Sequence, residues 1–106
     1  MKQTITELND NFRRTLIGGK LLLSKEVSIL PPEDVYAIIE QVKQYTNFTP
    51  ANDPYQEHDF GSISYRGNKI FWKIDYYDTQ YLFFSNDPAN PNLTKRVLTI
   101  MMADEY

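Results

Sequence analysis

The chain has 106 residues, a length typical of one domain with a modest hydrophobic core. Its hydrophobic content of 42% and aromatic content of 14% exclude a disordered chain, and the lack of cysteine excludes disulfides, thiolate metal sites and cysteine nucleophiles. The net charge is −3, and residues 26–64 hold seven acidic side chains and one lysine. This acidic middle argues against direct binding to nucleic acid, which requires a basic surface.

The first residues contain no apolar segment of the kind found in a secretory signal, and no apolar run approaches membrane-spanning length. We therefore expect a soluble cytoplasmic protein that does not contact a membrane.

Two amphipathic helices are predicted in the first half of the chain. Ile5, Leu8, Phe12 and Leu16 recur at helical spacing and predict a helix over residues 4–16, with Thr4 or Thr6 as the cap and Gly18-Gly19 as the stop. Residues 20–24 form a short apolar run that predicts a strand, and residues 26–30 are expected to be extended or a turn. Pro31-Pro32-Glu33-Asp34 then begins a second helix over residues 32–45.

A β-hairpin over about residues 59–77 follows a polar loop at 47–56. Gly67-Asn68 is the predicted two-residue turn, which pairs Tyr65 with Ile70 and Ile63 with Trp72. Alternation then defines a core face: Gly61, Ile63, Tyr65, Ile70, Trp72, Ile74 and Tyr76. The opposite face carries His58, Phe60, Ser62, Ser64, Phe71, Lys73, Asp75 and Tyr77. In this register His58 lies opposite Tyr77 and diagonal to Asp75.

The last third of the chain offers two structural alternatives. Residues 81–85 predict a third strand, and residues 86–92 form a second polar loop. Residues 94–106 fit a mostly buried helix, which we favour, or a strand, because Val97, Thr99 and Ile100 are β-branched. The predicted fold is α+β, a single domain in which a small antiparallel sheet, the hairpin plus one or two further strands, packs against two or three helices.

Three segments resemble a family of short bacterial proteins of unknown function. They are Asn52–Gly61 (NDPYQEHDFG), Phe71–Asp78 (FWKIDYYD) and Thr94–Tyr106 (TKRVLTIMMADEY). The resemblance extends over nearly the whole chain and implies an association with plasmids, integrated elements and phages, with no activity to transfer. Gln56 stands where the resemblance leads us to expect glycine, which would permit a backbone conformation that glutamine resists.

The best cluster of ionisable groups predicted from the hairpin is His58 with Asp75, beside Glu57, Asp59 and Tyr77. A carboxylate next to the single histidine would orient its ring for general acid–base chemistry. A structural histidine is the favoured interpretation, and no serine or threonine is marked as a nucleophile. The candidate catalytic residues are therefore only His58, Asp75 and Glu57.

A cation site is the weaker alternative for the same part of the chain. The ligands would be mainly carboxylate oxygens, from Asp53, Glu57, His58 and Asp59. The spacing of these residues in the sequence matches no established metal-binding loop. We predict no metal and no cofactor. Arg96 is expected to pair with Asp87 or with the carboxylates of residues 57–59.

These patterns favour a small acidic binding protein over an enzyme. We expect it to inhibit or regulate a host protein complex, in particular one that handles nucleic acid in host defence, through an acidic and aromatic surface. The candidate binding residues are Asp53, Glu57, His58, Asp59, Lys73, Asp75, Tyr77, Asp78 and Arg96. The alternatives are a small acid–base hydrolase that uses His58 and Asp75, and a toxin–antitoxin or regulatory partner.

Overall fold

The computed structural model describes residues 3–106, which form one four-stranded sheet covered on one face by helices. The elements in chain order are α1 (Ile5–Thr15), β1 (Gly19–Leu23), α2 (Lys25–Ser28), α3 (Pro32–Lys43), β2 (Phe60–Tyr65), β3 (Asn68–Tyr77), β4 (Lys95–Met102) and a 3₁₀ turn at Ala103–Glu105. The strand order is β1-β4-β3-β2, with β1 parallel to β4 and the other pairs antiparallel. The α+β class is confirmed, with a mixed sheet. Within residues 3–106, no helix is both long and apolar enough to cross a membrane.

Both predicted amphipathic helices are present, and local sequence explains their ends. The Thr4 hydroxyl accepts from the Glu7 N–H while the Glu7 carboxylate accepts from the Thr4 N–H, a reciprocal cap that begins α1. Leu16 closes α1 in a left-handed conformation, just before Gly18. Pro32 occupies the first turn of α3, where a backbone N–H has no acceptor within the helix, so the lack of an N–H in proline costs nothing. Residues 26–30 were expected to be extended or a turn, and the first three of them belong to the short helix α2, capped by the Ser24 hydroxyl.

The predicted hairpin turn is wrong by one residue, and the predicted faces are nevertheless correct within the paired strands, from Phe60 to Tyr77. Arg66 and Gly67 have φ values of 49° and 80°, so they form the two-residue loop, and Tyr65 pairs with Asn68. Ile63 therefore pairs with Ile70 rather than with Trp72. The pairing shifts by two residues in total, which preserves the alternation between faces.

Two predictions for the last third of the chain are corrected. Most of the segment 94–106 is β4 (Lys95–Met102) and not an α-helix, since this strand lies between β1 and β3 and has buried side chains on both faces. The 3₁₀ turn at Ala103–Glu105 follows it. A continuous apolar run of this kind does not distinguish a central strand from a buried helix. Residues 81–85 form no strand, because the Asp78 carboxylate accepts the N–H groups of Gln80 and Leu82 and turns the chain, which leaves one bridge between Tyr77 and Phe84.

The hydrophobic core lies between the helices and one face of the sheet. Trp72, Ile70 and Ile74 of β3 and Leu98 and Ile100 of β4 point toward the helices. Phe12, Val27, Ile38 and Val42 of the helices complete the packed cluster. The other face, whose side chains alternate with these, carries no helix among residues 3–106, and we call it the open face.

Candidate functional site

The loop between α3 and β2 meets the middle of α1 around the single histidine. His58 Nδ1 lies 2.9 Å from Oδ1 of Asp10, and its Nε2 lies 3.7 Å from Oδ2 of Asp53. The His58 ring also stacks on Phe48, with 3.8 Å between centroids and 2° between planes. An ionised carboxylate only accepts hydrogen bonds, so Nδ1 is the nitrogen that donates to Asp10.

The predicted pairing of His58 with Asp75 and Tyr77 is wrong. His58 has φ 58°, which ends the strand alternation before Phe60 and turns the ring to the helix side of the sheet. Asp75 lies on the open face, where its carboxylate is 2.9 Å from the Lys73 ammonium. The sheet therefore separates two of the three candidate catalytic residues, His58 and Asp75.

The backbone around His58 is held in a conformation that most side chains avoid. Gln56 and His58 both have positive φ, at 56° and 58°. Such residues persist where surrounding contacts determine them, and they concentrate at functional sites. Here Oδ1 of the buried Asp53 accepts the N–H groups of Glu57 and His58, and the Gln56 carbonyl accepts the Thr6 hydroxyl. The glutamine thus adopts the left-handed conformation that glycine would take more easily.

The Asp10 carboxylate accepts hydrogen bonds from both His58 and Arg13. Partial burial opposes its ionisation, but hydrogen bonds from His58 and Arg13 outweigh this and hold the pKa of Asp10 below its ordinary value. The Arg13 guanidinium is 1% exposed, donates to Asp10 and to the Tyr45 carbonyl, and lies over the Phe48 and Trp72 rings. Arg13 therefore links the candidate site directly to the hydrophobic core.

A second polar network links the same loop to the sheet through Asn9, which is fully buried. Asn9 Nδ2 donates to the Glu57 carbonyl and to the Tyr76 hydroxyl, and its Oδ1 accepts from Arg96 Nε at 2.6 Å. The Tyr76 hydroxyl donates to Glu57 Oε1 at 2.8 Å, and burial is the main reason that its pKa is raised.

Arg96 does not form the expected ion pair with Asp87 or with residues 57–59. Its Nη2 donates to the Pro88 carbonyl, its Nε donates to Asn9, and its guanidinium lies over the Tyr76 ring. Burial lowers the pKa of Arg96. The residue joins the second polar loop to α1 from inside the protein.

Asp59 is the predicted site residue whose carboxylate has the least favourable surroundings. Burial raises its pKa, and the nearby carboxylates of Glu57, Asp53 and Asp75 raise it further. Its carbonyl accepts the Ile74 N–H, which fixes the residue beside β3. Among residues 3–106, no group of three or more histidine or acidic side chains is arranged to hold a metal ion.

An open depression of about 390 Å³ adjoins His58 on the outer side of the loop. It is lined by Thr6, Phe48, Thr49, Pro50, Asp53, Pro54, Gln56 and His58. Residues of the motif 52–61 thus form one wall of this depression. Three residues that contact this motif, Asn9, Asp10 and Phe48, were not predicted from the sequence. Arg13, which donates to Asp10, was not predicted either. The sequence does indicate that Asn9 and Arg13 are buried, because both polar residues lie on the apolar stripe of α1.

The resemblance seen in these motifs has a counterpart among known families. A family model described as "Protein of unknown function (DUF3768)" matches residues 23–105. The chain belongs to the DUF3768 family. No curated protein and no solved structure matches it. The matched range of this DUF3768 protein includes Asp53, His58, Tyr76 and Arg96, whereas their partners Asn9 and Asp10 on α1 precede it.

Proposed function

We propose that this DUF3768 protein is a binding protein that regulates or inhibits a protein complex of the host cell. The observation that carries the proposal is a group of exposed apolar side chains in the loops beside the end of β3, which we call the loop patch. Its members are Leu82, Phe83, Phe84 and Leu93, which are 67%, 73%, 72% and 52% exposed. Exposed apolar patches that contain aromatic side chains are typical of protein interfaces.

The loop patch is held in place by hydrogen bonds. The Phe83 carbonyl accepts the Asp78 N–H at 2.7 Å, and the Ser85 N–H donates to the Tyr76 carbonyl at 3.0 Å. The Phe84 ring stacks on Tyr77 with centroids 5.4 Å apart. A surface ordered before binding loses less conformational entropy when a partner docks, which favours affinity.

The acidic part of the predicted surface contributes less than the sequence suggests. Asp53 is 5% exposed and accepts backbone N–H groups, Glu57 accepts from Tyr76, and Asp75 pairs with Lys73. Asp78 uses one carboxylate oxygen to order the turn at the patch. We therefore propose apolar contacts at the loop patch, with Asp78 at its rim steering basic residues of the partner.

The target class that we propose is a nucleic-acid-handling complex of host defence in the cytoplasm. The support is the resemblance of the chain to proteins of mobile elements. A mobile element persists in a host only if the defence complexes of that host do not destroy it. An inhibitor of this type needs a compact scaffold with one ordered contact surface. Leu82–Phe84 and Leu93, which lie in the loops beside the end of β3, meet that requirement.

The experiment is a pull-down from host lysate with the full chain as bait, at low and raised salt. We expect the wild type to recover a specific partner. An Ile29→Ala/Tyr36→Ala control should recover it as well, and a Phe83→Ala/Phe84→Ala variant should not. The control also removes two exposed apolar side chains, 74% and 67% exposed, but from the helical layer. Recovery of no specific partner at either salt, or equal recovery by both variants, would contradict the proposal.

A second candidate function is acid–base hydrolysis at His58, now with Asp10 as the orienting carboxylate in place of Asp75. The specific observation is the 2.9 Å contact between His58 Nδ1 and Asp10, together with the depression next to the ring. Such a pair can activate a water molecule as the nucleophile. The test is hydrolysis of p-nitrophenyl ester and phosphoester substrates. Activity that His58→Asn abolishes while the fold survives supports it, and activity unchanged in that variant rejects it.

A further inference from the structure

We propose that the open face of the sheet binds single-stranded nucleic acid. The face is defined by strand pairing: Lys20 lies beside Val97, Asp75 beside Val97, Lys73 beside Thr99, and Tyr77 beside Lys95. Its outward side chains include four lysines, Lys20, Lys69, Lys73 and Lys95, and a single carboxylate, Asp75. A protein with a net charge of −3 therefore gathers four of its eleven cations on one sheet face.

Most of this positive charge is free to meet a ligand. Lys73 is paired with Asp75 at 2.9 Å. Within residues 3–106, no carboxylate lies within 4.0 Å of the ammonium groups of Lys20, Lys69 or Lys95. Lys20 and Lys69 lie over the rings of Tyr81 and Phe71, at 4.1 and 5.4 Å from the centroids. These aromatic contacts hold the lysines on the face without neutralising them.

Aromatic side chains lie at both ends of the same face. Phe60, Phe71 and Tyr106 form one cluster, with ring centroids 5.2 to 5.9 Å apart, and Tyr106 is 75% exposed. Tyr77 stacked on Phe84 forms the other. Phe71 and Tyr77 are six residues apart on β3, which corresponds to roughly 20 Å. A depression of about 360 Å³ between the clusters is lined by Lys20, Leu22, Lys73, Asp75, Tyr77, Tyr81, Val97 and Thr99.

Lysines interleaved with aromatic rings match the chemistry of single strands. Unpaired bases stack on aromatic faces irrespective of sequence, while ammonium groups contact the phosphates. In a duplex the bases already stack on each other, so the aromatic clusters would add nothing. An acidic protein surface would meet the lysines, but it offers no row of planar bases to stack on the rings. Single-stranded DNA or RNA is therefore the occupant that uses all the features of this face.

The inference goes beyond the protein contact proposed above, and it is compatible with it because Phe84 belongs to both surfaces. The acidic middle of the sequence predicted no direct contact with nucleic acid. Pairing of β1, β3 and β4 nevertheless brings lysines that are distant in the sequence together on one surface. A target that handles nucleic acid would place such a strand next to the loop patch.

The experiment measures fluorescence anisotropy of 5′-labelled dT12 and U12 oligonucleotides with the full chain at about 50 mM salt. We expect binding at least about tenfold tighter than to a 12-base-pair duplex, with polyglutamate a poor competitor. Each lysine–phosphate contact contributes about 0.7 to the slope of log Kd against log salt. Lys20→Gln/Lys95→Gln should weaken binding about 10- to 100-fold and lower that slope by about 1.4.

The matched control is Arg14→Gln/Lys43→Gln, which changes the net charge equally but in the helices α1 and α3. We expect its affinity to stay within about twofold of the wild type. Tyr106→Ala should weaken binding about 5- to 100-fold through lost stacking. A urea melt verifies that each variant is folded. The proposal is overturned by the absence of binding at about 100 μM, by equal losses in the lysine and control variants, or by polyglutamate that competes as well as the oligonucleotides.

Discussion

His58 Nδ1 and Asp10 Oδ1 lie 2.9 Å apart although 48 residues separate them along the chain. This contact attaches the loop that carries the motif 52–61 to α1. The same carboxylate accepts from Arg13, whose guanidinium reaches the core beside Trp72. The candidate site and the stability of the domain are therefore coupled through Asp10.

Asp10→Asn should destabilise the protein by about 1.5–3 kcal/mol, the usual contribution of hydrogen bonds to charged groups. The folded-state pKa of Asp10 is lowered, so its contribution is complete above the unfolded pKa and is lost as pH falls through the folded value. Urea melts between pH 6 and pH 2 should show a smaller loss of stability for Asp10→Asn than for the wild type. Asp104→Asn, at an exposed carboxylate, is the control. Identical pH profiles for wild type and Asp10→Asn would contradict the assignment.

Trp72→Ala should cost about 3–5 kcal/mol, because the ring is fully buried in the core and its loss leaves a cavity. A domain of this size has only about 5–15 kcal/mol of stability, so this variant should be strongly destabilised or unfolded. Lys73→Ala, on the open face and 39% exposed, should cost roughly 0–1 kcal/mol. Urea melts of the two variants provide the comparison, and equal losses would mean that the faces of β3 are misassigned.

Asn9→Ala should destabilise the protein by about 1–3 kcal/mol for each buried group left without a partner, principally Arg96 Nε and the Glu57 carbonyl. The Tyr76 hydroxyl keeps its hydrogen bond to Glu57. Asn11→Ala, exposed two residues along the same helix, has the same change in helix propensity and is the matched control. We expect the control to stay within about 0.5 kcal/mol of the wild type in urea melts. A similar cost for both variants would show that the Asn9 network contributes little.

Asp59→Asn should stabilise the protein at neutral pH. A carboxyl with a raised folded-state pKa binds its proton more tightly when folded, so above that pKa its ionised form opposes folding. We expect a Tm increase of about 2–4 °C at pH 7, a modest value because solvent screens this half-buried group. The increase should vanish at pH 3, below the ordinary pKa of 3.8, where both states hold the proton. A loss of stability at pH 7 in thermal melts would indicate a structural hydrogen bond to Asp59.

Local sequence was sufficient where neighbouring residues determine the structure. The ends of α1 follow from the Thr4–Glu7 cap and the end of the apolar stripe, and the start of α3 follows from Pro32. The faces of the hairpin follow from strict alternation, which even a wrong turn preserved because the error was an even number of residues. The functional role predicted for His58 stays a prediction, and the structure adds only that the ring lines an open depression.

Only the tertiary structure decided the contacts between distant segments, because these depend on chain reversals that no short window specifies. β4 is a strand and not a helix because β1 and β3 flank it, and its apolar run fits both structures equally well. His58 binds Asp10 rather than Asp75 because a positive φ turns it to the opposite side of the sheet. The lysines of the open face are scattered from residue 20 to residue 95, and only strand pairing brings them onto one surface.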